Sequence, residues 1–386
     1  MWQKDAKLEH KGFKIATVAG LPIRIDPSWF IIVALLSWTL ATGYFPAKYK
    51  GFTTATYWVI GVAAAILLFV SVLLHELGHA YLAKRCNLPA EGITLFLFGG
   101  VSELPGEPTS PGDEAKVTLG GWLVSALIAA ICYAISLLLR GTGTGSVVAM
   151  ALFQYLAVVN TLLFVFNGIP GLPLDGGRLC RALVWKATGS IRKATSVASS
   201  IGTAFGTALI VLAVINVFFG SLIGGLWLGL IGLFLRASAQ ASYRQLVIRR
   251  ALKGMSVGDL MSSNVVTVSP AATISEAMDQ TFMKHHYHGF PVVEDGHVQG
   301  IISLHDLKQI DREAWERTTV GQVIESKNRD VVTLHPQDDA MDAFATMTKS
   351  GRGRLPVVEN GELVGILSRR DVLHMLAVKT DLVPEE

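Results

Sequence analysis

The sequence predicts an α-helical polytopic membrane domain of about six transmembrane helices, followed by a cytoplasmic α/β module made of two paired repeats. Three observations carry this prediction. Only 16% of the 386 residues are charged and mean hydropathy is +0.45, whereas soluble domains carry about 25% charged residues. The charge is also divided unevenly. Residues 1–253 hold 21 Lys/Arg and 10 Asp/Glu, while residues 254–386 hold 12 and 20. Finally, the second part repeats itself once. Three scattered cysteines exclude a disulfide scaffold, and an acidic soluble part lacks the basic footprint of a nucleic-acid partner.

A helix crossing the hydrocarbon of a bilayer needs about 20 apolar residues. Predominantly apolar stretches, the second of them uncharged over 51–74, place spans at 27–47, 51–80, 117–139, 147–166, 196–218 and 221–238 within a domain covering 1–250. The uncharged run 194–235 is too long for one span and divides near Phe219-Gly220-Ser221. With both termini cytoplasmic, only Lys48, Lys50 and Arg140 of the first part's basic residues fall outside, as positive-inside topology requires. A charged leader precedes the first stretch and further spans follow, so that stretch reads as a retained helix in a multi-pass cell-membrane protein.

The second span ends in His75-Glu76-Leu77-Gly78-His79. Residues four apart share a helix face, so His75 and His79 can hold one metal ion, with Glu76 beside them to take a proton from water. Ionisable groups in a span are costly and mark function by default. Zinc held by two histidines wants a third protein ligand and an open position. From Ala115 to Lys253 the only carboxylate is Asp175, just after Pro170 and Pro173 break the fourth span. A salt bridge to Arg178, or a turn carboxylate before Gly176, is the alternative role for Asp175.

The H-E-L-G-H helix with N-x-x-P-x-x-P-L-D-G from Asn167 resembles the site-2 protease family of intramembrane zinc metalloproteases over residues 15–240. The resemblance implies hydrolysis of a peptide bond within the transmembrane segment of a membrane-bound protein, as in regulated intramembrane proteolysis. It matches His75, His79 and Asp175 to the zinc ligands, Glu76 to the catalytic glutamate and Asn167 to an asparagine that helps hold substrate or oxyanion. The family commonly has Gly-Pro where this chain has Gly121-Trp122, which puts the local helix entry in question.

Residues Ile93–Val101, including Phe98, Gly99 and Gly100, are rich in β-formers. They read either as an edge strand that pairs with an unwound substrate or as a re-entrant packing loop.

In the soluble part, Pro291-Val-Val-Glu-Asp-Gly matches Pro356-Val-Val-Glu-Asn-Gly, and Val265-Val-Thr-Val-Ser-Pro270 matches Val331-Val-Thr-Leu-His-Pro336. The Asp-Gly and Asn-Gly steps are hairpin signals. The two units, 254–312 and 317–380, resemble a CBS domain pair. That resemblance implies either an adenine nucleotide (ATP or AMP) in the cleft, held by Ser303, Asp306, Ser368 and Asp371, or a purely structural module that forms a homodimer. Two further functions stay open on sequence alone: a relative that sequesters substrates without cleaving them, and a membrane transporter gated by the CBS pair.

Overall fold

The structure, a computed structural model, describes residues 12–103, 108–140, 144–326 and 331–382; residues 1–11 of the charged leader lie outside them. The chain forms two compact units, Met1–Arg244 and Gln245–Glu386.

Among the described residues, six helices are long and apolar enough to cross a membrane. They are α1 (Pro27–Lys48), α2 (Thr54–Arg85), α3 (Pro111–Leu138), α4 (Thr144–Asn167), α6 (Ile191–Phe218) and α7 (Leu222–Leu252), with the shorter α5 (Asp175–Thr188) between the fourth and fifth. Large apolar side chains such as Leu138 and Phe218 point outward, as lipid demands. Several helices outrun the uncharged stretches that mark them, α2 through Lys84 and Arg85 among them. Helix α3 begins at Pro111, where Ser110 Oγ accepts from the Asp113 amide and Asp113 and Glu114 sit in the first turn. Helix α7 continues to Leu252. Hydropathy marks the apolar part of a span, while the hydrogen-bonded helix runs on through charged turns.

The leader is more structured than its charge suggests. Strands β1 (Phe13–Val18) and β2 (Leu21–Ile25) form a hairpin, and β2 runs parallel to β3 (Gly92–Phe96), which pairs antiparallel with β4 (Gly99–Glu103). Leu21, Ile23 and Ile25 alternate inward, so one face of β2 is buried with Ile93 and Leu95. The expected single edge strand over Ile93–Val101 is therefore corrected: it is a hairpin. Its first strand is paired on both sides, Phe98 lies in the turn, and only β4, with Gly99 and Gly100, leaves an edge open.

The second unit contains two hairpins, β5 (Gly289–Glu294) with β6 (His297–Ser303) and β7 (Arg354–Glu359) with β8 (Glu362–Ser368). Each receives a parallel bridge from the segment before it, Val268 to Val292 and Leu334 to Val357. The boundaries 254–312 and 317–380 describe the repeats in sequence but not in space. Leu252, Val257 and Leu260 pack into the second repeat's core with Leu355 and Leu367. Val320 and Val323 pack into the first with Phe290 and Ile302. Each leading segment is apolar and finds its burial in the other repeat.

Candidate active site

His75 and His79 lie one turn apart on α2, buried, with Nε2 atoms 3.1 Å apart. Asp175, the first residue of α5, faces both: its Oδ2 is 3.2 Å from His75 Nε2 and its Oδ1 3.2 Å from His79 Nε2. Among the described residues this is the one group of three or more His, Cys, Asp and Glu side chains with ligand atoms within 4.8 Å of one another. Asp175 has no ion pair with Arg178; its carboxylate is committed to the histidines.

The surroundings fit a metal ion. His79 Nδ1 is 2.9 Å from the Val117 carbonyl, which can only accept, so Nδ1 carries the proton and Nε2 presents a lone pair. The Gly121 amide also points at Nδ1, at a longer 3.3 Å. His75 Nδ1 shares a 2.9 Å hydrogen bond with Ser125 Oγ. Asp175 Oδ2 is buried and, despite its closeness to His75, takes part in no hydrogen bond of good geometry. With His75 Nδ1 as the donor to Ser125 Oγ, both Nε2 atoms and the Asp175 carboxylate are acceptors, which repel one another in a buried space unless a cation lies between them; two nitrogens with one carboxylate oxygen are a zinc-type donor set.

Helix α3 supplies the outer shell through Val117, Gly121 and Ser125. A Cβ at Gly121 would come within 2.3 Å of His79 Nε2, so only glycine lets α3 lie this close. The first turn of α3 is tied to α5 by an ion pair. Arg181 Nε donates to Glu114 Oε1 at 2.6 Å, its second guanidinium contact falls on the same oxygen, and Glu114 is fully buried.

In the second unit a cleft of about 520 Å³ opens between the repeats. Ser303, Asp306 and Ser368 line it, together with Arg352, Arg354 and Arg370. Asp371, expected beside them, is not part of the lining. Its Oδ2 accepts from the Ser368 amide at 2.8 Å and from Ser368 Oγ at 2.6 Å. Asp306 caps the equivalent turn in the same way, at 2.8 and 2.5 Å from Ser303.

Comparison with known proteins finds matches to both parts of the chain. The peptidase family M50 model matches residues 63–150 and 143–213, and the CBS domain model matches 257–313 and 320–378. A Mycobacterium tuberculosis protein named zinc metalloprotease Rip3 is 31% identical over 96% of this chain and 94% of its own length. A Synechocystis protein named zinc metalloprotease sll0528 is 30% identical over 95% and 96%.

The chain belongs to peptidase family M50.

A solved site-2 protease from Methanocaldococcus jannaschii aligns with 60% of this chain and 95% of its own, at 26% identity and a TM-score of 0.40. Membership makes this M50 protein a multi-pass intramembrane metalloprotease, with a CBS pair attached. Its departure at Gly121-Trp122 does not interrupt α3, which runs through both residues. Trp122 instead stacks on Phe164 and its indole Nε1 donates to the Phe164 carbonyl at 2.7 Å, tying α3 to the last turn of α4. Asn167 ends that helix, half-buried, at the head of the loop leading to Asp175.

Sequence reading missed the residues that hold the His75, His79 and Asp175 side chains in place. Ser125, Glu114 and Arg181 carry no motif spacing. Asn160 was also missed; fully buried on α4, it donates to Ser71 Oγ at 3.2 Å, and its Oδ1 is unpartnered. Its signal was available, since an asparagine inside a span is costly.

Proposed function

We propose that this M50 protease holds one zinc ion on His75, His79 and Asp175. With Glu76 as general base, it hydrolyses a peptide bond in the transmembrane segment of a membrane-bound substrate. The observation that carries the reading is the convergence of three buried ligand atoms from α2 and α5 with Glu76 adjacent on α2. When bound, zinc supplies Lewis acidity, which activates water and polarises the scissile carbonyl. Glu76 accepts the water proton and returns it to the leaving amine. Val117 and Ser125 hold the two imidazoles in orientation. The open edge of β4 takes the substrate as an added strand, because a helix with all its carbonyls bonded internally must unwind before attack. Gly99 and Gly100 lie on that edge, and Asn167 contributes a polar amide from the end of α4. Both termini face the cytoplasm.

We infer in addition that the cleft of the CBS pair takes an adenine nucleotide, ATP or AMP. The three arginines offer phosphate contacts, and Ser303, Asp306 and Ser368 offer polar contacts. Binding there modulates cleavage.

The decisive measurement is zinc per chain in the detergent-purified protein for wild type and Asp175→Ala. About one zinc in wild type, clearly weakened in the variant, joins the two motifs into one site. Wild-type protein free of zinc after chelator-free purification overturns it. Glu76→Gln should retain zinc and lose cleavage by about 10²-fold or more. A transporter or sequestering protein would be indifferent to that change.

A further inference from the structure

Strand β4 is one of the two edge strands of the sheet, with β1 at the other edge, and it also reaches the helix that carries Glu76. Successive strand residues face opposite sides, so Gly100 and Ser102 share one face while Val101 points the other way and is exposed. The shared face lies against Glu76. Ser102 Oγ is 2.6 Å from Glu76 Oε2 and 3.3 Å from the carbonyl oxygen of the same residue. An ionised carboxylate only accepts, so the hydroxyl donates. A Cβ on Gly100 would stand 2.7 Å from Glu76 Cγ, so the strand passes the glutamate without room for a side chain there. Among the described residues, Ser102 is the one hydrogen-bond partner of the Glu76 carboxylate.

We propose that Ser102 is a positioning residue for Glu76. By holding Oε2, it fixes the carboxylate plane and leaves Oε1 as the oxygen that accepts the proton of the attacking water. The idea rests on the reading of Glu76 as general base. The proton balance is simple: the water proton moves to Oε1 and later to the leaving amine, while Ser102 keeps its own. A substrate strand added to β4 uses backbone groups in the plane of the sheet, and Ser102 Oγ projects out of that plane. Substrate pairing and base positioning therefore share one strand without competing for the same atoms.

Two readouts test this on the full chain. The first is cleavage of a synthetic single-span peptide carrying a fluorophore and quencher, by zinc-loaded protein in detergent. Ser102→Ala should lower kcat about tenfold, the loss of one hydrogen bond to a charged group. KM and zinc per chain should stay unchanged, and Ser102→Thr should restore kcat. Wild-type kcat in Ser102→Ala, or an equal loss in Ser102→Thr, overturns the proposal. The second readout needs no activity. Thermal midpoints of metal-free wild type, Ser102→Ala, Glu76→Ala and the double variant should be non-additive, because the two side chains interact. Additive shifts overturn the proposal whatever the cleavage data show. Glu76→Gln separates the layers: wild-type kcat in that variant removes the general-base reading, while the midpoint cycle still reports the contact.

Discussion

Asp175 and Asp371 both sit in the first turn of a helix, and both lie close to polar atoms of other residues. The partners differ in how far away they lie along the chain. Asp371 is satisfied by the amide and hydroxyl of Ser368, three residues before it. Asp175 faces His75 and His79 on a different helix, 100 and 96 residues before it. The same contrast separates the two units. Carboxylates of the CBS pair such as Asp259, Asp306 and Asp371 cap their own turns at a partly wet surface. Those of the membrane unit such as Glu114 and Asp175 are buried, and each joins two helices. A carboxylate placed in hydrocarbon must find its partner in the protein, whereas one at the surface can share its lone pairs with water.

Removing Asp175 or Glu76 tests the membrane side of this comparison most severely. The next largest effect should come from the long-range ion pair. Arg181→Ala leaves the fully buried Glu114 unpaired and should cost about 3–5 kcal/mol. Thermal unfolding of the detergent-solubilised protein reads it directly, and a shift no larger than that of a surface substitution would erase the distinction between the units. Gly121→Ala drives a methyl into His79 and should cost about 1–3 kcal/mol by overpacking. Its diagnostic sign is weaker zinc retention at unchanged helix content by circular dichroism.

Smaller effects belong to the CBS side. Asp371→Ala removes a local cap and should cost about 1 kcal/mol. Since Asp371 stands outside the cleft lining, Asp306→Ala should weaken ATP or AMP binding more than Asp371→Ala does, as isothermal titration calorimetry would show. Equal losses would place both carboxylates on the ligand. The smallest effect is at Asp259, which the Ser256 amide, and then the Ser256 hydroxyl, hold below the ordinary carboxylate range. A carboxyl lowered on folding stabilises the protein above its unfolded value of about 3.9 and loses that contribution as pH falls through the folded value. Asp259→Asn should therefore lower the thermal midpoint slightly at neutral pH, with the difference from wild type fading in acid.

Much of this molecule is legible in its sequence. Runs free of charge identify the helices, because length and apolarity are what a bilayer selects. The His75–His79 spacing puts two imidazoles on one helix face, because that periodicity is a property of the helix alone. The solitary Asp175 is found by elimination, whereas the sequence offers Ser303, Asp306, Ser368 and Asp371 as nucleotide contacts and only the structure shows each pair capping its own turn. The β1–β2 hairpin was not legible, since Leu21–Ile25 is too short to separate from a charged leader until β3 arrives to pair with it. The turn at Phe98 was equally hidden. A run of β-formers does not say where the chain reverses.

By itself the sequence determined what each segment is: which stretches enter lipid, which helix carries two imidazoles, which units repeat. Those properties depend on residues near one another in the chain. Only the tertiary structure decided which residues meet across the chain: Ser125 and Val117 behind the histidines, Ser102 on the glutamate, Arg181 on Glu114, and the leading segments Val257 and Val320 exchanged between the CBS repeats. These partners are chosen by close packing and by the need to satisfy every buried polar group, conditions that apply only once the helices and strands have met.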